Sequence, residues 1–148
     1  MKRTKIIIAT ILIIVIVGGV LILSGKDTHI GNSSSHIKMP DGFNTLGTWE
    51  NCILISNSTS NYTIFVVPNE TIDNLYKQYE IKHENDTVSV STLNIGNTEV
   101  EGWDLIVNGS LIHTNYYYEK EGTTYQIYPT GDYNINTITE IVKSTENN

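Results

Sequence analysis

An uncharged apolar run near the N-terminus limits what this chain can fold into more than any other feature. It extends from Ile6 to Leu23, and three of the five residues before it are basic. At about 1.5 Å per residue, a helix over this run is about 27 Å long, close to the ~30 Å hydrocarbon core of a bilayer. The run therefore predicts that residues 1–24 are a cytoplasmic tip and a transmembrane helix.

Cleavage of this run as a signal peptide is the alternative. Apolar segments of signal peptides are shorter, about 7–15 residues, and end at small residues. Here Ile22 and Leu23 crowd the small residue Ser24, so a retained single-pass anchor is favoured. Basic residues stay on the cytoplasmic side of a membrane, so we expect the N-terminus inside the cell and the rest outside. The expected localisation is the cell membrane, with the lipid bilayer contacted through residues 6–23.

The part of the chain beyond the anchor is acidic. It holds all 16 acidic residues and only six lysines, which gives a formal charge of −10. This charge disfavours a nucleic-acid partner. Calcium-loop and HExxH motifs are missing from the sequence, so neither a metal nor a cofactor is expected. Cys52, the one cysteine, excludes an intramolecular disulfide and leaves packing to stabilise the domain.

Residues 25–38 are small and polar and predict a flexible stalk, and residues 39–148 predict one extracytoplasmic domain. Within it, WENCILIS and YTIFVV suggest a hairpin, and four further strand-like segments suggest a meander. An apolar stripe of Ile72, Leu75, Tyr76 and Tyr79 predicts a helix between them, capped by Asn69 or Thr71. A second helix closes the chain. The expected class is α+β, with an antiparallel sheet of about six strands and two packed helices.

For the strand TEVEGWDLIV, two arrangements of its side chains on the faces of the sheet are possible. Strict alternation would put Val100 and Asp104 on one face, whereas a bulge at Gly102 would align Val100 with Trp103 and Leu105. The bulge is the favoured interpretation.

The pattern resembles the PsbP/Mog1-like fold over about residues 39–145. The resemblance rests on MPDGF before a hairpin, a helix after its second strand, VEGWDLIV, YYYEKEGTTYQIYPTG and the final helix TITEIVKS. It is similar to small membrane-anchored prokaryotic surface proteins with this fold, and it implies a non-enzymatic accessory domain.

Few residues suggest catalysis. Cys52 and His113 are the one conceivable thiol–imidazole pair, but Cys52 lies in the apolar run CILI, where a buried cysteine behaves as a small hydrophobic residue. Glu99 and Glu101 share a strand face, as outward glutamates commonly do. We therefore expect no catalytic residue.

Two groups of residues are candidate surface sites. Six N-x-S/T sequons at predicted loops and turns are possible glycosylation sites: Asn32, Asn57, Asn61, Asn69, Asn85 and Asn108. Four tyrosines on two adjacent strands form a possible aromatic contact face: Tyr116, Tyr118, Tyr125 and Tyr128. Packing of these tyrosines under the helices is the favoured alternative, because a small domain without disulfides needs their buried area.

The leading hypothesis is a membrane-anchored interaction or accessory domain that binds an envelope protein or a glycan. One alternative is a structural or assembly subunit whose anchor docks in a membrane complex. Another is an unrecognised envelope enzyme.

Overall fold

The computed structural model describes residues 11–13 and 25–148. Within these ranges the strands and helices follow one another in this order: β1 (Ile11–Ile13), β2 (Asp27–His29), β3 (Ser35–Lys38), β4 (Asn44–Trp49), β5 (Cys52–Ser56), β6 (Ser60–Val67), α1 (Ile72–Lys82), β7 (Thr87–Ile95), β8 (Thr98–Val107), β9 (Ser110–Lys120), β10 (Thr123–Gly131), α2 (Ile135–Ser144) and β11 (Glu146–Asn147).

One large sheet organises the domain. Its strand order is β1-β7-β8-β9-β10-β6-β5-β4, and all its pairs are antiparallel except that of β1 with β7. The predicted α+β class with a mainly antiparallel sheet and two helices is confirmed. The sheet is wider than predicted because β4, with the sequence NTLGTW, has no apolar alternation. Trp49 ends this extra strand and does not begin the hairpin strand β5.

The predicted membrane span falls on residues 6–23, which lie outside the described residues except for Ile11–Ile13. These three residues form β1, a short strand, and pair in parallel with Thr92–Asn94 of β7. Neither α1 nor α2 is long and apolar enough to cross a bilayer, and they are the helices of the described ranges.

The segment predicted as a flexible stalk is folded, which corrects that prediction. β2 and β3 pair with each other, and β3 also pairs with β11 at the C-terminus, making a second sheet of three strands. Ile30 and Ile37 are completely buried. The polar composition of residues 25–38 hid these two isoleucines, and the strand that completes their sheet lies more than 100 residues further along the chain.

The main core lies between the large sheet, α2 and the three-stranded sheet. Its buried residues come from nearly every element: Ile30, Ile37, Ile53, Ile55, Tyr62, Ile64, Leu93, Ile95, Val100, Tyr118, Tyr125, Ile127, Ile138, Ile141 and Val142. Helix α2 begins at its cap Asn134, whose side chain accepts a hydrogen bond from the backbone of Thr137 at 3.0 Å. Such a cap is worth about 1 kcal/mol.

Helix α1 lies against the opposite face of the sheet. Thr71 caps it by accepting a hydrogen bond from Asn74, as one of the two predicted caps. Its apolar stripe is half-buried, Leu75 included, so this helix covers the sheet less completely than the stripe predicted.

The predicted bulge at Gly102 is wrong. The pairing of β8 with β7 and β9 runs through Gly102 without a break. Val100 and Trp103 therefore point to opposite faces, and both are completely buried, because the sheet carries a layer on each side. A Cβ at Gly102 would lie 2.8 Å from Ser91 Oγ and 3.2 Å from the Tyr116 ring. The bulge occurs instead in β9, where Ile112 lies between the pairs Leu105–His113 and Ile106–Leu111.

We expect residues 25–37 to stabilise the domain. Removing them takes Ile30 and Ile37 out of the main core, and burial of one such side chain is worth about 1.5–3 kcal/mol. A protein of residues 38–148 should therefore be less stable than one of residues 25–148 by about 3–6 kcal/mol in urea unfolding. A matched control, Asn32→Ala at an exposed position of the same segment, should change stability by less than about 0.5 kcal/mol. Equal unfolding midpoints for the two lengths would contradict this prediction.

Candidate contact surface

The four tyrosines of the predicted contact face do not share one surface. Tyr118 and Tyr125 are completely buried in the main core, and Tyr116 is half-buried beside it. Tyr128 is half-buried on the other face of the sheet, because it lies three residues after Tyr125 in the same strand. The prediction of an aromatic contact face made of these four tyrosines is thus wrong. The alternative, that the rings pack under the helices, is correct for Tyr118 and Tyr125.

The two buried tyrosines are positioned by hydrogen bonds. Tyr118 Oη is 2.7 Å from Thr145 Oγ1, and Tyr125 Oη is 2.7 Å from Ser35 Oγ. Burial raises the pKa of both hydroxyl groups. They therefore stay protonated at neutral pH and act as structural donors or acceptors.

A second aromatic cluster lies under α1. The rings of Trp103 and Tyr117 stack with centroids 3.8 Å apart and planes 27° apart. Tyr76 and Tyr79 of α1 approach Trp103 with centroids at 5.1 and 5.4 Å. The indole Nε1 donates a hydrogen bond to Glu101 Oε2 at 2.8 Å. The Glu101 carboxylate therefore accepts the hydrogen bond of a buried indole N–H group.

Polar side chains line the edge of this aromatic cluster. Asn115 contacts His113 Nδ1 at 3.1 Å and accepts a hydrogen bond from Gln126 Nε2 at 2.9 Å. The buried Tyr79 hydroxyl, next to them, has no hydrogen bond of normal geometry within the described residues. Burial raises the pKa of Tyr79 to about 12, and burial lowers the pKa of His113. Both groups are therefore neutral near pH 7.

The structure does not bring Cys52 and His113 together. Their strands, β5 and β9, are separated by β6 and β10, so three strand spacings of about 4.8 Å put the side chains at least ~14 Å apart. Within residues 11–13 and 25–148, no three side chains of the His, Cys, Asp or Glu type are arranged to hold a metal ion.

An apolar surface remains open beside α1, and we call it the open sheet face. Paired positions on β4, β5, β6 and β10 bring the side chains of this face together: Trp49 opposite Cys52, Cys52 opposite Phe65, and Thr63 between Leu54 and Tyr128. Trp49 is 55% exposed, and Cys52, Leu54, Phe65 and Tyr128 are half-buried. The sequence did not reveal it, because the run CILI predicts a strand covered on both faces.

The sequons differ in accessibility. Asn32, Asn69, Asn85 and Asn108 are exposed in turns or loops, whereas Asn57 and Asn61 are half-buried. Asn57 Oδ1 accepts hydrogen bonds from the backbone of Thr59 and Ser60 at 2.9 and 2.8 Å. Asn61 lies inside β6 rather than at a turn. The expectation that all six lie in loops is therefore wrong for Asn61.

Comparison with known proteins adds one finding. No family model and no curated protein matches the sequence. Among solved structures, the chain is similar to PsbP from the cyanobacterium Synechocystis sp. PCC 6803 (CyanoP), with a TM-score of 0.51, 10% sequence identity, and coverage of 88% of this chain and 96% of that one. The chain has a PsbP-like fold. The fold that the sequence resemblance implied is therefore confirmed. At 10% identity, the similarity to the cyanobacterial protein concerns the fold alone.

We expect the Cys52 thiol to react slowly. Burial raises its pKa, so less thiolate is present near neutral pH than in a free cysteine. At pH 8, iodoacetamide should alkylate the native protein several-fold more slowly than the urea-unfolded protein, and the difference should shrink as the pH rises. Trp49→Ala should accelerate the native reaction because Trp49 pairs with Cys52, whereas Thr48→Ala should not. Native alkylation as fast as that of the unfolded chain would contradict this expectation.

Proposed function

We propose that the protein is a single-pass membrane-anchored extracytoplasmic domain that acts by binding an envelope protein through its open sheet face, and not by catalysis. The observation that carries this proposal is the apolar surface around Trp49, Leu54 and Phe65. Protein surfaces that stay apolar over several neighbouring side chains mark interaction sites. Aromatic residues such as Trp49 and Tyr128 are enriched at such sites.

The anchor rests on the sequence alone. Eighteen uncharged residues follow a basic N-terminus, which is the pattern of a span whose N-terminus stays in the cytoplasm. The proposal requires Ile11–Ile13 to leave β7 and to become helical in a bilayer, where an isolated strand could not satisfy its backbone groups.

An envelope protein suits the open sheet face better than a glycan does. Glycan recognition combines an aromatic ring with several convergent polar groups. The open sheet face is apolar at Trp49, Cys52, Leu54 and Phe65, with Thr63 as a neutral polar neighbour.

The orientation is tested with intact cells. External protease should degrade residues 25–148 and leave a fragment of about residues 1–24 in the membrane. A domain that resists protease until the membrane is permeabilised would contradict the proposed orientation. A domain released into the medium without residues 1–24 would support the cleaved signal peptide instead.

The binding surface is tested with a photoreactive amino acid in the full chain, in cells that express it naturally. Position 49 should give one discrete crosslinked product, because its side chain lies on the open sheet face. Position 48 is the matched control, since Thr48 is also exposed but points to the other side of β4. Equal products from both positions, or none from position 49, would contradict the proposal.

A chimaera separates this function from an assembly role of the anchor. Residues 1–24 are replaced by an unrelated single-pass span of the same orientation. The crosslink from position 49 should persist, because the contact belongs to the domain. Loss of the crosslink in a correctly inserted chimaera would favour a subunit that docks through its anchor.

A further inference from the structure

One end of the large sheet lies near Gly25, where the described domain begins, and we call it the anchor end. The described domain begins at Gly25, and the next residue, Lys26, accepts a backbone hydrogen bond from Met39. Because β4 starts soon after Met39, at Asn44, Gly25 lies near the start of β4. Strand pairing shows which ends of the other strands lie at the same end of the sheet. Asn44 pairs with Ser56, Ser60 with Gly131, and β9 runs antiparallel to both β10 and β8. The β8–β9 turn at Asn108 and Gly109 therefore lies at the anchor end.

The tip of the β8–β9 hairpin is apolar and exposed. Leu111 and Ile112 are 58% and 57% exposed, and Ile106 and Val107 across the turn are half-buried. The bulge at Ile112 removes one side chain from the regular alternation. Leu111 and Ile112 are therefore both left accessible.

The last turn of α1 lies at the same end. Tyr79 contacts both His83, which follows the helix, and His113, which is next to Ile112. Ile81, in this last turn, is 74% exposed. Four of the five large apolar side chains exposed in the described part of the chain thus lie at or near the anchor end: Leu46, two residues into β4, and Ile81, Leu111 and Ile112.

The distance to the membrane follows from the folded segment. The predicted span ends at Leu23, and β2 starts at Asp27. Three residues separate them, and the four backbone steps from Leu23 to Asp27 reach at most about 14 Å. Because residues 25–38 are folded and are not a stalk, the anchor end cannot move far from the bilayer surface. The polar headgroup layer on each side of the bilayer is itself about 5–8 Å thick.

We propose that the β8–β9 tip, through Leu111 and Ile112 with Ile81 beside them, sits in the interfacial layer of the bilayer that holds the anchor. This inference rests on the anchor of the proposed function. The contact is apolar, because the external part carries a charge of −10 and gains nothing from anionic lipid. Two or three apolar side chains bind a membrane weakly by themselves. The anchor supplies the high effective concentration that makes the contact persist.

This seating fixes the orientation of the domain. The anchor and the hairpin tip are two separate points of contact, since β4 and β9 are separated by β5, β6 and β10. Two contacts prevent the domain from turning freely about its anchor. The open sheet face then meets its partner in a restricted orientation.

The test uses the full chain in phosphatidylcholine vesicles, with Cys52→Ser to leave one labelling site. Leu111→Cys carries an environment-sensitive fluorophore, and Asn97→Cys is the matched control, exposed in the turn at the opposite end of β8. The label at position 111 should emit at shorter wavelength and be quenched at least two-fold by lipids with a spin label near the headgroup. The label at position 97 should show neither effect, and phosphatidylserine should not increase the quenching at position 111.

The outcomes separate this inference from the anchor. Vesicles that float with the protein while both labels report water would overturn the seating and leave the anchor intact. A blue-shifted label at position 111 without lipid quenching would overturn it in favour of a protein partner or a second copy. Failure of the protein to float with vesicles would overturn the anchor and the seating together.

Discussion

A stacked pair of tyrosines holds both ends of the described domain to the centre of the sheet. Tyr118 and Tyr125 lie opposite each other on β9 and β10, with ring centroids 5.1 Å apart and planes 19° apart. Each ring buries a hydroxyl group that would cost about 1–3 kcal/mol without a partner. Ser35 of β3 and Thr145 after α2 supply these partners. The three-stranded sheet and the end of α2 therefore depend on the same two side chains.

The sequence predicted the elements whose signals are local. The hairpin of β5 and β6, the helix capped by Thr71 and the meander from β7 to β10 all follow from alternation, turn residues and helical spacing. It did not predict β2, β3 and β11, because each is short and polar. β3 pairs with β11 across more than 100 residues of chain, and β2 belongs to the same sheet only through its pairing with β3. Alternation with only one covered face predicts a bulge at Gly102, whereas Val100 and Trp103 are buried on opposite faces of a sheet that is covered on both.

The contact surface was harder to predict than the fold for a related reason. Tyrosines on neighbouring strands suggest a contact surface in a sequence, but their accessibility depends on which helix covers which strand. Tyr118 is buried under α2 and the terminal strands. Trp49 and Leu54 stay accessible, because α1 lies over β8 and β9 and not over their strands. A layer of one short helix cannot cover a sheet of seven antiparallel strands. In the proposed function, the partner would therefore approach the uncovered strands and not the residues richest in aromatic rings.

The short strand β2 has a mechanical consequence. In an anchored protein, any pull between a bound partner and the membrane enters the described domain at Gly25 and acts first on β2. Three pairs hold this strand to β3, and the ion pair between Lys38 Nζ and Asp27 Oδ1, at 2.7 Å, closes its outer end. The hydrogen bond from Lys38 holds the pKa of Asp27 below its usual value, so this clasp is present at neutral pH and is lost as the pH falls through that lowered value. Tension would therefore detach β2 more readily in acid, and would lengthen the tether before it disturbs the core.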